Sequence, residues 1–181
     1  MGSAEPAALD LRAYVRDIPD FPRPGIVFKD ITPLLLDPRA LRQAVAGLAE
    51  LAAPLAPELV VAAEARGFIL GAALAIELGA GFVPARKPGK LPHKVVSAEY
   101  TLEYGLDALE VHADAFAGGP RVLVHDDLLA TGGTARAVCQ LVEEQGAQVL
   151  GCAVLIELSF LKGRERLAPY PVHALIEYAQ P

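Results

Sequence analysis

Residues Arg121 to Gln145 commit the chain to a strand, a tight loop and a helix in immediate succession. Arg121-Val122-Leu123-Val124 opens an apolar run of the kind that fills a strand buried on both faces. The run turns acidic at Asp126 and Asp127 and passes through Ala130-Thr131-Gly132-Gly133-Thr134. It resumes as a helical pattern from Ala135 to Gln145, with Ala137, Val138, Leu141 and Val142 on one side. Such a loop lies at the carboxyl end of its strand, where open α/β sheets hold their ligands. Glycines there let backbone amides approach an anion, and the first turn of the helix adds N–H groups with no intrahelical partner. The two acids could accept hydrogen bonds from sugar hydroxyls or approach a bound Mg2+. Plain turn and N-cap chemistry would also use glycine and threonine here. Two acids, two glycines and two threonines within the nine residues Asp126–Thr134 exceed what a turn needs, and favour a cradle for a phosphorylated sugar.

The same order of elements occurs earlier. Leu59–Ala63 reads as a buried strand, Glu64-Ala65-Arg66-Gly67 as a turn, Phe68–Leu78 as a helix closed by Gly79, and Phe82–Arg86 as a second strand. A strand–helix–strand unit of this length implies a parallel pair. Before it, Asp37 as N-cap and Pro38 at the first position start a helix that runs to about Ala53, with Leu41, Val45, Leu48, Leu51 and Ala52 inward. Later come a core strand at Val149–Leu158, a helical turn or short helix at Lys162–Leu167 and a last strand at Val172–Tyr178. The expected fold is α/β: an open, mainly parallel twisted sheet flanked by helices. At 181 residues, one domain over residues 1–181 is expected.

Two stretches do not fit that frame. Ala8–Ile18 is patterned as a short amphipathic helix, with Leu11, Tyr14, Val15 and Ile18 on one face. The prolines at 19, 22, 24 and 33 then forbid a regular helix or central strand, although Phe21, Ile26, Val27, Phe28 and Ile31 make the segment strongly apolar. Two readings stand for it: a lid that offers an aromatic ring and backbone groups to a flat ligand, or a connection hugging the surface. Lys87–Lys94 is basic and rich in Pro and Gly, so it should be exposed. It leads into Val95–Tyr104 and Leu106–His112, which alternate as an antiparallel flap turning near Gly105.

Composition excludes several classes. No apolar run reaches the roughly 18 residues that span a bilayer. Met1–Glu5 has neither the basic nor the apolar part of a signal peptide, and a cytoplasmic location is expected. Cys139 and Cys152 fall in a helix and a strand pattern and read as buried free thiols. The net charge of −6 argues against a nucleic-acid partner. The four histidines are scattered, and no P-loop, dinucleotide fingerprint or Cys/His cluster is present, which argues against a zinc site.

The chemistry-bearing residues converge. Arg66, at the end of a parallel strand, falls on the same rim as Asp126 and Asp127, and Arg86 and Lys87 reach it from the neighbouring strand. The three cations are either a solvated basic rim or a site for a leaving group that gains negative charge. A flap could exclude water from a reactive sugar cation. No Ser/His/Asp arrangement suggests covalent catalysis.

These blocks resemble the type I phosphoribosyltransferases. The residues that carry it are Asp126–Thr134, Phe21-Pro22-x-Pro24-Gly25-Ile26-Val27-Phe28-Lys29-Asp30-Ile31-Thr32, Glu64-Ala65-Arg66-Gly67-Phe68, Arg86-Lys87-Pro88-Gly89-Lys90-Leu91-Pro92, Leu102-Glu103-Tyr104-Gly105 and Leu161-Lys162-Gly163-Arg164. They occur in the family's order from about Leu11 to Tyr178, and the early block with Leu-Glu-Tyr-Gly points to its adenine branch. The resemblance implies a hood over about residues 12–36, a flexible catalytic flap over about 88–105, and a homodimer. It implies transfer of the 5-phosphoribosyl group from phosphoribosyl diphosphate (PRPP) to adenine with Mg2+, giving AMP and pyrophosphate. By position, Ala130, Thr131, Gly132, Gly133 and Thr134 would hold the 5′-phosphate. Asp126 and Asp127 would meet the ribose hydroxyls and support the oxocarbenium-like sugar, with Mg2+ held nearby through substrate and water. Arg66 would sit in the pyrophosphate loop, which often carries a non-proline cis peptide, and Arg86, Lys87 and Lys90 would address pyrophosphate, in their own subunit or across a dimer interface. Val27 backbone groups would read the adenine edge, Phe28 would stack on the ring with Lys29 beside it, and Glu103 would manage the N7 proton.

Three positions depart from the family's pattern. His125 stands where an apolar residue is usual, and either perturbs Asp126 or points away; Lys29 replaces an arginine found in some members; His93-Lys94 replace smaller flap residues. Without the resemblance, Glu103 would be an exposed acid on a ribbon. Two other functions share most of the motifs: transfer to another purine base, and PRPP sensing without catalysis, which would want an added DNA-binding module.

Overall fold

The computed structural model describes residues 8–102 and 105–181, and the side chains of these except for 100–102, 105 and 106. In chain order the elements are β1 (Arg16–Pro19), β2 (Val27–Asp30), α1 (Thr32–Leu36), α2 (Pro38–Ala52), β3 (Leu59–Ala63), α3 (Arg66–Leu78), β4 (Gly81–Ala85), β5 (Val95–Leu102), β6 (Gly105–His112), β7 (Arg121–Leu129), α4 (Gly133–Glu144), β8 (Gln148–Leu158), α5 (Gly163–Arg166) and β9 (Val172–Tyr178). Five strands form one parallel sheet in the order β4-β3-β7-β8-β9. The chain winds outward from β3 to β4 through α3, and in the other direction from β7 through α4 to β8 and β9. The winding therefore reverses between β3 and β7, which is where a crevice opens beyond the carboxyl ends of the strands.

Strand alternation divides the interior into two layers. Val61, Val122, Val124, Cys152 and Val154 pack with Ala137, Val138, Leu141 and Val142 of α4. Their neighbours Val60, Leu123, Ala153 and Leu155 pack on the opposite face with α2 and α3. Both cysteines are buried and free, with Sγ atoms 3.8 Å apart. No helix among the described residues is long and apolar enough to cross a membrane.

Several expected boundaries shift, each for a local reason. Asp37 caps α2 by accepting hydrogen bonds from the N–H groups of Arg39 and Ala40, as its sequence demands. The face that α2 buries completely is Ala40, Ala44, Leu48 and Ala52, however, with Leu41, Val45 and Leu51 only half-buried. Small side chains let the helix approach the sheet closely: a Cβ on Gly47 would lie 2.8 Å from the side chain of Leu175 on β9. The helix expected over Ala8–Ile18 is absent. Asp10 caps only a 3-10 turn at Leu11–Tyr14, and the chain then enters β1, whose Ile18 pairs with Phe28 and whose Arg16 pairs with Asp30 on β2. Tertiary pairing of β-branched and apolar residues here outweighs a weak local helical period. The proline segment accordingly holds one strand of an antiparallel ribbon, β2, and runs into α1 with Pro33 in its first turn.

α3 starts at Arg66 and α4 at Gly133, two residues earlier in each case than the apolar period indicates. Gly79 ends α3 in the left-handed conformation expected of it. Beyond β4, Arg86 forms an isolated antiparallel bridge with Glu110, tying β6 to the sheet edge. β5 and β6 pair from Val95↔His112 to Leu102↔Gly105. Ala98, Leu109 and Val111 root this ribbon in the core beneath α4.

Candidate active site

A cleft of about 800 Å3 opens at the switch between β3 and β7. On one wall β7 continues through the acid pair to Leu129, pairing with β8 as far as Leu129↔Glu157. On its other side β3 stops pairing at Ala62↔His125, so Asp126 and Asp127 face an opening rather than a strand. Ala130–Gly132 turn the chain, and Gly132 takes φ +81° as the residue before α4. No side chain caps α4, so its first-turn N–H groups stay available to an anion in the cleft.

Arg66 enters from the start of α3, directly after a cis peptide at Glu64–Ala65. Its Nε lies 3.0 Å from Asp127 Oδ2, as an ion pair without hydrogen-bond alignment. Its guanidinium also sits 4.7 Å from the centre of the Phe28 ring. Phe28 is held edge-on by Phe21, with ring centres 5.2 Å apart. One arginine thus bridges the acid wall and the aromatic wall.

The two acids are inequivalent. Burial pushes both carboxyls above the usual range. For Asp126 the adjacent Asp127 charge adds to that effect, whereas for Asp127 the Arg66 guanidinium opposes it. The Asp126 carboxyl is therefore pushed up further than that of Asp127. The Asp127 N–H donates to Asp126 Oδ1 at 2.9 Å, which fixes their relation.

The other expected site residues divide. Val27, Phe28, Arg66, Lys87, Asp126, Asp127 and Ala130–Thr134 all line the cleft. Lys29 lines it too, but β2 puts its side chain on the face opposite Phe28. Its ammonium is buried 2.9 Å from Asp17 Oδ1 and 4.3 Å from the centre of the Tyr178 ring, so it offers the cleft backbone rather than charge. Lys87 is paired with Asp107 of β6. Arg86 and Lys90 are not in the lining: Arg86 donates from Nε to Glu64 at 2.9 Å and from Nη1 to the Lys90 carbonyl. Glu103 lies outside the described residues. Leu158, Phe160 and Leu161 add an apolar wall that spacing did not assign to the site, although Leu161 opens a block singled out above.

His125 points away from the acids. Its Nδ1 lies 2.9 Å from the Ala153 carbonyl, and its ring packs under α3, where a Cβ on Gly71 would meet it at 3.2 Å. Nε2 is buried without a hydrogen-bond partner. Burial lowers its pKa to about 4 from an ordinary 6.5. The unfolded chain therefore takes up this proton first, and the wild type should lose stability as pH falls from 6.5 towards 4. His125→Val should lose less over that window in thermal unfolding, with kcat at neutral pH unchanged within about twofold. A wild-type-like pH dependence would place the titration elsewhere.

Residues 35–172 match the model of the phosphoribosyl transferase domain family. An adenine phosphoribosyltransferase from Desulfitobacterium hafniense is 58% identical over 171 residues, covering 94% of this chain and 99% of the relative. One from Thermotoga maritima is 56% identical, covering 94% and 98%. The crystal structure of adenine phosphoribosyltransferase from Thermoanaerobacter pseudethanolicus superposes with a TM-score of 0.91 at 50% identity, over 93% of this chain and 98% of that one. The Saccharomyces cerevisiae enzyme, solved with D-2,5-dideoxy-2,5-imino-altritol 1,6-bisphosphate and adenine, gives 0.87 at 38%, over 92% and 96%.

Proposed function

The chain belongs to the phosphoribosyltransferase family, in its adenine phosphoribosyltransferase branch, and from that premise we propose that it joins adenine to the 5-phosphoribosyl group of PRPP, releasing pyrophosphate and forming AMP for purine salvage. The observation that carries this reading is a single cleft in which an acid pair and an uncapped helix N-terminus face an aromatic ring, with Arg66 between the acids and the ring.

In this reading Ala130–Thr134 and the first turn of α4 take the 5′-phosphate through backbone N–H groups. Asp126 and Asp127 lie beside the sugar, where carboxylate charge stabilises positive charge as it develops at C1′. The C1′–pyrophosphate bond breaks, adenine N9 forms the new bond, and the base loses one proton. Arg66 and Lys87 receive the negative charge that builds on pyrophosphate. Val27 and Lys29 present backbone groups to the base edge, Phe28 its face, and Glu103 manages the base proton, with residues 12–36 as a hood and 88–105 as a flap.

Mg2+ fits this site only as a partner of PRPP. Among the described residues no three His, Cys, Asp or Glu side chains gather as a cage, while Asp127 Oδ2 is buried without a hydrogen bond. Bound near the acids through substrate oxygens and water, it would neutralise diphosphate charge.

The proposal includes a cytoplasmic homodimer formed on α3, where Ile69 and Ile76, one heptad apart, are 48% and 81% exposed. Sedimentation at a monomer mass would remove the dimer.

A panel assay tests the function: PRPP, Mg2+ and adenine, hypoxanthine, guanine or xanthine, followed by pyrophosphate release. Adenine should be the preferred base. No turnover with adenine would overturn the proposal, and PRPP binding without turnover on any base would make the chain a PRPP sensor. Phe28→Ala should raise KM for adenine about tenfold to a hundredfold, the range of one lost base–aromatic stack, with a smaller effect on KM for PRPP. Equal rises in both constants would show that Phe28 shapes the cleft rather than the base site.

A further inference from the structure

Leu161-Lys162-Gly163-Arg164 has no part in the chemistry above beyond the apolar wall at Leu161, yet its Gly163 packs backbone to backbone on the phosphate loop. We propose that Gly163 and Arg164 are positioning residues for the 5′-phosphate: they hold the Ala130–Gly132 turn from behind in the shape that aims its N–H groups at PRPP. This rests on the assignment of that turn to the 5′-phosphate.

The contact is backbone against backbone. A Cβ on Gly163 would lie 2.2 Å from the Ala130 carbonyl oxygen and 3.0 Å from the Leu129 side chain. Reciprocally, a Cβ on Gly132 would lie 2.6 Å from the Gly163 carbonyl oxygen. Neither position has room for a side chain, so the loop's outer surface is moulded on Gly163. Lys162, at φ +56°, turns the chain sharply into that contact.

Arg164 then keeps Gly163 from retreating. Its Nε donates to Glu157 Oε1 at 3.0 Å, its Nη2 pairs with Glu157 Oε2, and its Nη1 donates to the Val172 carbonyl at 2.6 Å. The fork therefore ties α5 to both β8 and β9. Glu157 is buried and pairs in register with Leu129, the residue at which β7 gives way to the loop. Clamp and loop thus share one anchor point in the sheet. A side chain at 163 would move the loop by a fraction of an ångström to an ångström, a displacement that costs up to about a hundredfold where geometry is productive.

Ribose 5-phosphate and pyrophosphate separate the two ends of PRPP as probes. By calorimetry, Gly163→Ala should weaken ribose 5-phosphate about tenfold to a hundredfold and leave pyrophosphate within about twofold. KM for PRPP should rise by a similar factor, while KM for adenine holds. Arg164→Lys, which keeps the charge but loses the fork, should weaken ribose 5-phosphate severalfold with the same selectivity, and it decides the matter if Gly163→Ala does not fold. Unchanged ribose 5-phosphate affinity, equal weakening of both probes, or failure of both variants to fold would overturn the proposal. A wild-type chain with no turnover on adenine would instead bring down the functional reading on which it rests.

Discussion

Replacing Asp127 with asparagine is expected to lower kcat about a hundredfold to a thousandfold while moving the melting temperature by only a few degrees. The Asp127 carboxyl is buried and lines the crevice, with the Arg66 guanidinium 3.0 Å away. Asparagine keeps the volume and a hydrogen-bonding oxygen but removes the charge that opposes the developing sugar cation. Stability should change little because opposing contributions are removed together: the burial cost of the carboxylate and its attraction to a part-exposed guanidinium. Chemistry and fold losing ground in parallel would make the acid structural.

Asp126→Asn separates the roles of the pair. Burial and the neighbouring charge raise its carboxyl, so the stability linked to its proton is present at low pH and is lost as pH rises through the raised value. The asparagine variant should therefore melt higher than wild type near neutral pH, with the gap closing near pH 4. A variant that melts lower at neutral pH would show that the acid is held ionised by contacts that stabilise the fold.

The sheet was legible because its strands obey simple rules. Leu59–Ala63 and Val122–Val124 are apolar on both faces, as parallel strands must be, and each hands over to a helix through a glycine-bearing turn. The N-terminal ribbon was not legible. Leu11, Tyr14, Val15 and Ile18 satisfy a helical period, yet the strand that draws Ile18 out of it, Val27–Asp30, lies about a dozen residues on and beyond a proline turn. On the inner face of α2, Leu48 and Ala52 are buried as expected, but Ala40 and Ala44 take the places expected of Leu41 and Val45, because close approach to β9 favours alanines and spacing does not encode approach distance.

For the site, rim position was readable: the acids, the glycine loop and Arg66 follow from strand ends in a parallel sheet and line one cleft. Which way a basic side chain turns was not. Lys29 and Arg86 carry charges that sequence places near the cleft, and the fold spends them on Asp17 and Glu64. Gly163 stood in a block singled out in the sequence, but its tight fit against Ala130 was not readable, being a matter of what lies opposite a missing Cβ.

Arg66→Ala should be the most damaging single change at a cation, lowering kcat/KM for PRPP about a thousandfold. The guanidinium does two things: it opposes the rise that burial imposes on the Asp127 carboxyl, and it stands between that acid and Phe28. Its loss removes charge from the pyrophosphate side and lets the Asp127 pKa rise. The acid limb of the kcat/KM profile should therefore move to higher pH, a signature that lost packing would not produce. Arg66→Lys separates these effects. A lysine ammonium restores charge beside Asp127 and should return the acid limb towards its wild-type position, but it lacks the flat face that lies on Phe28. Activity should recover only in part, with KM for adenine raised relative to wild type. An unmoved acid limb in Arg66→Ala would mean that this arginine does not set the Asp127 titration, and the division of labour within the acid pair would have to be redrawn.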